Sequence, residues 1–464
     1  MNIFLKKIYK ICTIKELRKK IILTLSLLLI YRFGSYIPIP GIDPLGINFF
    51  MEKFSSKSKG LIQILSSFTG GAFNRASILA LGIMPYISSS IIMQLMCIII
   101  PSLYRLQKEG ESGRMYISLI TRWLTIGICL IQAPLYLISL TKQLIPFSLF
   151  YNSVYLVDIN TFYGKVMFFI IGVIVLTAGT FFTMWLGDKI TNIGIGNGIS
   201  IIIMSGIVSK FPIAITKEIS SKLELGFKGL IILFLEFILW ILVILFSIII
   251  IQAIRKIPVQ YVSHYKSFII ENYNDKLIRK KHQYIPLKMT SVGVMPLIFS
   301  QAIVLFPITF SNYIENSKLK KFFFILQDVY GFWYNLIIAL LVIIFTFFYT
   351  AITIPVNQIS DDLKRNGGYI PKVKPGKETI LYIDHILSCI TIPGAILLSI
   401  IAVLPSLVFR LGINQNFSLF YGGTSLLIVV GVILDIYQQV KIHLLNYYYD
   451  DLMMKNHGIK YNKL

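Results

Sequence analysis

Residues 229–253 read GLIILFLEFILWILVILFSIIIIQA, a run in which Glu236 is the one charged side chain. About 20 mostly apolar residues, rising ~1.5 Å each in a helix, are enough to cross the hydrocarbon layer of a bilayer. The stretch therefore reads as a transmembrane helix. Comparable windows lie on both sides of it, near 21–38, 76–100, 117–140, 165–186, 197–216, 289–313, 333–356, 383–407 and 420–441. Two of these, 197–216 and 289–313, carry Gly, Pro and polar residues and are the least apolar. Composition agrees with so many spans: 56% of the 464 residues are hydrophobic and 14% are charged. Soluble domains carry about 25% charged residues, and no soluble core of this length hides so much apolar surface. The expected fold class is an all-α membrane protein with about ten transmembrane helices.

Charge orients the spans. The net charge of +23 would suggest a nucleic-acid partner in a soluble chain, but here it sits largely between the apolar windows. The chain opens with Lys6, Lys7, Lys10, Lys15, Arg18, Lys19 and Lys20. Basic segments stay on the cytoplasmic side. An even number of spans then places both termini there, with Lys and Arg favouring the cytoplasmic segments roughly two to one. The expected division is a cytoplasmic segment 1–20, a first half 21–216, a second half 217–441 and a cytoplasmic tail 442–464. Loops 254–288 and 357–378 are the basic cytoplasmic connections. Two five-helix halves of opposed direction suggest a pseudo-symmetric pair with a pathway between them. The N-terminus is not read as a cleavable signal peptide, because no small-residue cleavage site follows 21–30 and apolar spans recur throughout.

The motifs of covalent chemistry are missing: there is no HExxH, GxSxG or GxxxxGK[ST]. No cofactor or metal is expected. Cys12, Cys97, Cys129 and Cys389 lack ligand or disulfide spacing and read as apolar packers. The five histidines fall mostly in loops or at helix ends. Gly194-Ile195-Gly196-Asn197-Gly198 follows a membrane span rather than a strand, so it reads as a tight turn before the next helix and not as a phosphate loop. Intramembrane charge is sparse: Arg32, Glu236 and Asp435. That argues against an ion-coupled solute transporter, which needs an ionisable midplane site. In 81–90, LGIMPYISSS, Ile83 and Ile87 share a helix face, and Ser88, Ser89 and Ser90 add small positions suited to changeable helix contacts. The stretch 61–74 is too short and too polar to span.

Seven segments in register resemble the SecY family over nearly the whole chain: RFGSYIPIPG (32–41), FTGGAFNRASILALGIMPYISSSIIMQ (68–94), KEGESGR (108–114), GTFFTMWLGDKITNIGIGNGISIIIMSG (179–206), PLKMTSVGVMPLIFSQAIVLFP (286–307), DDLKRNGGYIPKVKPG (361–376) and YGGTSLLIVVGVILDIYQQ (421–439). The resemblance implies an hourglass channel whose two five-helix halves close like a clamshell around a central pore. By motif position, its waist would be a ring of Ile83, Ile87, Ile199, Ile203, Met295 and Ile428. An apolar constriction blocks ions by dewetting, and aliphatic side chains deform around a passing chain. Met295 stands where related channels often carry Ile.

The same resemblance implies a plug over 61–74, with Leu61, Ile64, Phe68, Gly70, Gly71 and Asn74. It implies a lateral gate between spans 76–100 and 117–140 on one side and 289–313 and 333–356 on the other, with Ser88, Gln94, Asn197 and Thr290 as its polar members. It implies a docking surface for a SecA motor or the ribosome built from Arg255, Lys256, Lys364, Arg365, Lys372 and Lys374. Lys374 replaces the family's usual Arg and loses its bidentate fork, and Ser263, His264 and Tyr265 replace a more basic run. The implied partners are SecE and SecG in a heterotrimer, SecA, the ribosome, a YidC-type insertase, signal peptides, nascent chains and membrane lipids. The implied site is a bacterial inner membrane, with a plastid thylakoid membrane as the alternative. A solute transporter and a non-conducting accessory subunit remain as rivals. A constriction formed by the aliphatic positions would separate the channel from a transporter with a polar midplane pocket.

Overall fold

The computed structural model of the chain describes residues 14–42, 66, 68–148, 162–261, 283–290, 293–310 and 328–456. Its helices, in chain order, are α1 (Lys15–Gly34), α2 (Met84–Ile99), α3 (Pro101–Lys108), α4 (Glu111–Ser148), α5 (Phe162–Ile193), α6 (Gly198–Leu223), α7 (Phe227–Gln252), α8 (Met295–Phe310), α9 (Phe332–Thr353), α10 (Val356–Arg365), α11 (Lys377–Arg410), α12 (Gln415–Ser418) and α13 (Gly423–Asn456). Among the described residues, seven helical segments are long and apolar enough to cross a membrane, in α4, α5, α6, α7, α9 continuing into α10, α11 and α13. The pair α2–α3 passes the same standard together, and α1 and α8 fill the two remaining windows. The protein is a multi-pass helical membrane protein.

The opening stretch forms α7 in a way that only a lipid solvent explains. Leu230, Phe234, Leu235, Ile238, Ile241, Leu242, Leu245 and Ile249 are exposed. The buried positions are Gly229, Glu236, Val243, Ser247 and Ile250. The inward stripe is thus the more polar one, the reverse of a soluble amphipathic helix.

Window 76–100 differs from the continuous span expected. Helix α2 begins only at Met84, after turns and bends that run from Thr69 to Ile83. At its other end the chain bends by 106° into α3. The cause is Pro101, which cannot donate its backbone N–H and forces Ile100 into an extended conformation with φ −97° and ψ 112°.

The expected boundary between 216 and 217 falls inside α6, which continues to Leu223. The seam is the turn that follows, where Gly226 sits at φ +66° before α7. A small sheet was not expected at all. Strand β1 (Ile254–Tyr261) pairs antiparallel with β2 (Gln283–Lys288) and with β3 (Gly368–Tyr369), in the order β2-β1-β3. Ile257, Val259 and Leu287 are buried from the sheet against Leu363, Ile370, Ile383 and Leu387. The basic connections therefore carry an apolar core of their own at the ends of α7, α9 and α11.

The largest apolar cluster draws on both halves. Tyr31, Leu79, Ile83, Ile190, Ile202 and Ile203 come from the first, and Leu297, Ile338, Leu398, Leu427 and Ile428 from the second. Cys97 and Cys129 are buried packers as expected, whereas Cys389 is exposed on α11 and is not.

Candidate functional site

Two small cavities adjoin here, the first between the halves and the second lined by the first half alone. The first is lined by Phe68, Met84, Ile87, Ser88, Ile203, Ile298, Gln301, Ala302 and Ile428. The second adds Tyr31, Thr69 and Ile83 and shares Phe68, Met84, Ile87 and Ile203 with the first. The helices bring these side chains together for simple reasons. Ile83 caps the start of α2, and its carbonyl accepts from the Ile87 N–H at 3.0 Å, so both point from one turn. Asn197 caps α6 by accepting from the N–H groups of Ile199 and Ser200 at 3.2 and 3.4 Å, which starts the helix that carries Ile203. Ile428 lies in the second turn of α13, after the positive-φ Gly423.

Four of the six expected ring positions, Ile83, Ile87, Ile203 and Ile428, thus meet at one place. Ile199 sits one turn before Ile203 and packs half-buried against the same cluster without lining either cavity. Met295 does not join them. It opens α8 and is 41% exposed. Ile298, three residues further along α8, lines the cavity in its place.

Of the segment expected as a plug, Leu61 and Ile64 lie outside the described residues. Phe68 is 8% exposed and lines both cavities. Gly70 and Gly71 follow at φ +64° and +92°, and Asn74 is half-buried. The chain lies directly on α6: a Cβ on Gly206 would collide with the Phe68 carbonyl and stand 3.2 Å from the Gly70 nitrogen. Two half-buried cations also reach this segment. Arg32 donates to the Ser205 and Gly206 carbonyls of α6, and Lys210 donates to the Ser66 hydroxyl. Lys210 lies within the expected span 197–216, and a charge among apolar residues is the sequence signal that could have marked it.

The four expected gate residues fare differently. Gln94 joins the two halves, since its Oε1 accepts from the Tyr349 hydroxyl of α9 at 2.6 Å. Around that bond Ile91, Phe299 and Tyr349 form a separate apolar cluster, with the Phe299 and Tyr349 rings 4.6 Å apart. Ser88 lines the first cavity and donates to its own helix at the Met84 carbonyl, 3.1 Å away. Thr290 is 5% exposed, and its hydroxyl has no hydrogen-bond partner among the described residues. Asn197 is exposed and acts as the α6 cap. Tyr349 had no sequence signal, because an aromatic residue in a span is ordinary until its partner is known.

The six expected docking cations are all exposed. Arg255 and Lys256 project from β1, with the Lys256 ammonium 4.8 Å from the Tyr284 ring centroid. Lys364 and Arg365 end α10. Lys372 takes φ +72°, and the Lys374 ammonium stands 4.0 Å from Glu378. At the opposite end of α9, burial pushes the Tyr330 hydroxyl up to about 12. It donates to the Gln415 carbonyl at 3.1 Å, which fastens the start of α9 to α12. Among the described residues no group of His, Cys, Asp and Glu is placed to hold a metal.

An aliphatic constriction at the meeting of two helical halves, a turn-rich segment seated on it and a polar bridge at the seam define a gated multi-pass channel. The SecY family model matches residues 77–437. The chain is 36% identical over 449 residues to the protein translocase subunit SecY of Aquifex aeolicus, covering 96% of this chain and 98% of that one. It is 35% identical over 448 residues to the same subunit of Vibrio cholerae, covering 95% of each. The chain belongs to the SecY family. Its fold matches the structure of a protein conducting channel at 15% identity, with 91% of each chain covered and a TM-score of 0.58. It also matches Sec61 in the canine ribosome-channel complex from the endoplasmic reticulum, at 16% identity, 91% of each chain and a TM-score of 0.54.

Proposed function

We propose that the chain is the channel subunit of a protein translocase: it passes unfolded polypeptides across the membrane and releases apolar segments sideways into lipid. It is a conduit and not an enzyme. The observation that carries this reading is the convergence of Ile87, Ile203, Ile298 and Ile428 on one small, largely apolar cavity between the halves, with Ile83 lining the cavity beside it. Branched aliphatic side chains there leave no room for hydrated ions. They also offer a passing chain no hydrogen bond or charge to be held by, so it is not trapped.

In this reading Ile83, Ile87, Ile203, Ile298 and Ile428 form the pore ring, with Ile199 at its margin. The segment around Phe68, Gly70 and Gly71 is the plug. The Gln94–Tyr349 contact marks the lateral gate between α2 and the pair α8–α9. The sheet and α10 present Arg255, Lys256, Lys364, Arg365, Lys372 and Lys374 to a SecA-type motor or to the ribosome, whose RNA backbone would make the contact salt-sensitive. SecE and SecG partners, a YidC-type insertase and surrounding lipids complete the working assembly. The basic ends and loops support a reading with both termini in the cytoplasm of an inner-membrane protein.

Reconstitution into proteoliposomes with SecE, SecG and the motor tests the reading. Energy-dependent protection of a signal-bearing preprotein is the expected result. Uptake of small solutes without protein import would overturn it.

A further inference from the structure

Ser66 and the backbone at Gly70 and Gly71 are approached from two sides by cations that the apolar ring does not need. Arg32 comes from the last turn of α1. Its Nη2 donates to the Ser205 carbonyl and lies 3.5 Å from that of Gly206. Its Nη1 occupies the place where a Cβ on Gly70 would stand. The guanidinium therefore crosses Gly70 and ends on α6, with the segment enclosed between the two helices. On the far side, Lys210 holds Ser66, and the position of a Cβ on Gly71 would be 3.0 Å from Arg75 Nη2 and 3.5 Å from Lys210 Cε. Both glycines have positive φ and no side chain, which is what lets three cations approach one short stretch of backbone.

The two carbonyls that Arg32 reaches belong to helix α6, and a carbonyl oxygen has a second lone pair beyond its helical bond. A guanidinium offers several donors in a rigid fork, and charge-assisted bonds are stronger away from water. We propose that Arg32 is the latch of the plug: its guanidinium pins the backbone at Gly70 between α1 and α6 in the closed channel, and the segment leaves the waist only when those hydrogen bonds break. This rests on the reading of that segment as the plug. Arg32 is here a positioning residue that touches neither the translocating chain nor the ring.

The test uses the full chain with its SecE and SecG partners in proteoliposomes, and the readout is resting ion conductance. Arg32→Met is expected to raise the leak about tenfold, the factor given by about 1.4 kcal/mol. Arg32→Lys keeps the charge but loses the fork, and is expected to leak nearly as much. Deletion of 66–71 sets the ceiling, and adding Arg32→Met to it is expected to change nothing further. Gly70→Ala reaches the same contact from the other side by displacing the guanidinium, and serves if Arg32→Met does not fold. A leaky deletion with tight Arg32→Met and Gly70→Ala channels overturns the latch and leaves the plug standing. A tight deletion overturns the plug reading itself. Wild-type tightness in Arg32→Lys, or an added leak from Arg32→Met in the deletion background, also overturns the latch, because charge alone or another contact would then be acting.

Discussion

The Lys222 ammonium lies 2.9 Å from Glu236 Oε1, with both side chains buried, and ties the end of α6 to α7 across the turn that joins the two halves. Glu218 stands 3.7 Å from the same ammonium, and the Gly412 carbonyl accepts from it at 3.0 Å. The Asn414 N–H donates to Glu218 at 3.0 Å, and the Tyr421 hydroxyl donates to the Glu236 carbonyl at 2.8 Å. The one charge in the run 229–253 is therefore part of a knot that fixes α6, α7 and the connection from α11 to α13. It lines neither of the two cavities.

Two carboxylates share that lysine. Removing one member of a buried ion pair typically costs about 3–5 kcal/mol, because the other charge is left uncompensated. Lys222→Met, which strands both Glu218 and Glu236, is expected to lower the unfolding temperature in detergent by several degrees. Glu236→Gln leaves one carboxylate for one ammonium and should cost clearly less. Equal losses in thermal unfolding of the two variants would show that the lysine is not the centre of the knot.

Ile428 sits in the buried core and lines the first cavity. Ile428→Asn puts an amide where dewetting maintains the seal. A several-fold rise in resting ion conductance is expected, together with export of preproteins whose signal sequences are defective. Ile298→Asn should behave alike, whereas Met295→Asn, at an exposed position, should stay tight. Planar-bilayer conductance of the three variants ranks them directly.

The Gln94–Tyr349 bond at 2.6 Å crosses the seam between α2 and α9. A single neutral hydrogen bond contributes about 1 kcal/mol. Tyr349→Phe keeps the ring against Phe299 and removes only the hydroxyl, so the gate should open more readily by about fivefold. Insertion of marginally apolar test segments should shift toward the membrane, with folding unaffected. An unchanged insertion threshold would mean that the apolar cluster alone closes the seam.

Lys364→Glu with Arg365→Glu, at the end of α10, should weaken binding to ribosomes without altering resting conductance. The slope of log affinity against log salt should fall by about 1 for each phosphate that the variant no longer neutralises. Reduced affinity with an unchanged slope would point to a partner surface other than RNA.

Residues 229–253 and their counterparts determined the class of fold without help from tertiary structure, because about 20 apolar residues in a row have only one solvent that suits them. All ten windows carry helices. The KEGESGR, PLKMTSVGVMP and related segments likewise placed the chain in its family, and Ile83, Ile87, Ile203 and Ile428 could be picked out by position. What packing alone decided was partnership. Sequence could not show that Lys222 continues a helix and meets Glu236, or that Tyr349 reaches Gln94 some 255 residues away. Nor could it show that Arg32 crosses Gly70, that Ile298 faces the waist while Met295 turns outward, or that short basic segments form a sheet. Each of these depends on which faces of two helices touch. Hydrophobic pattern fixes that weakly in a membrane, where lipid and protein interior are equally apolar and only buried polar contacts and close backbone approaches single out one arrangement.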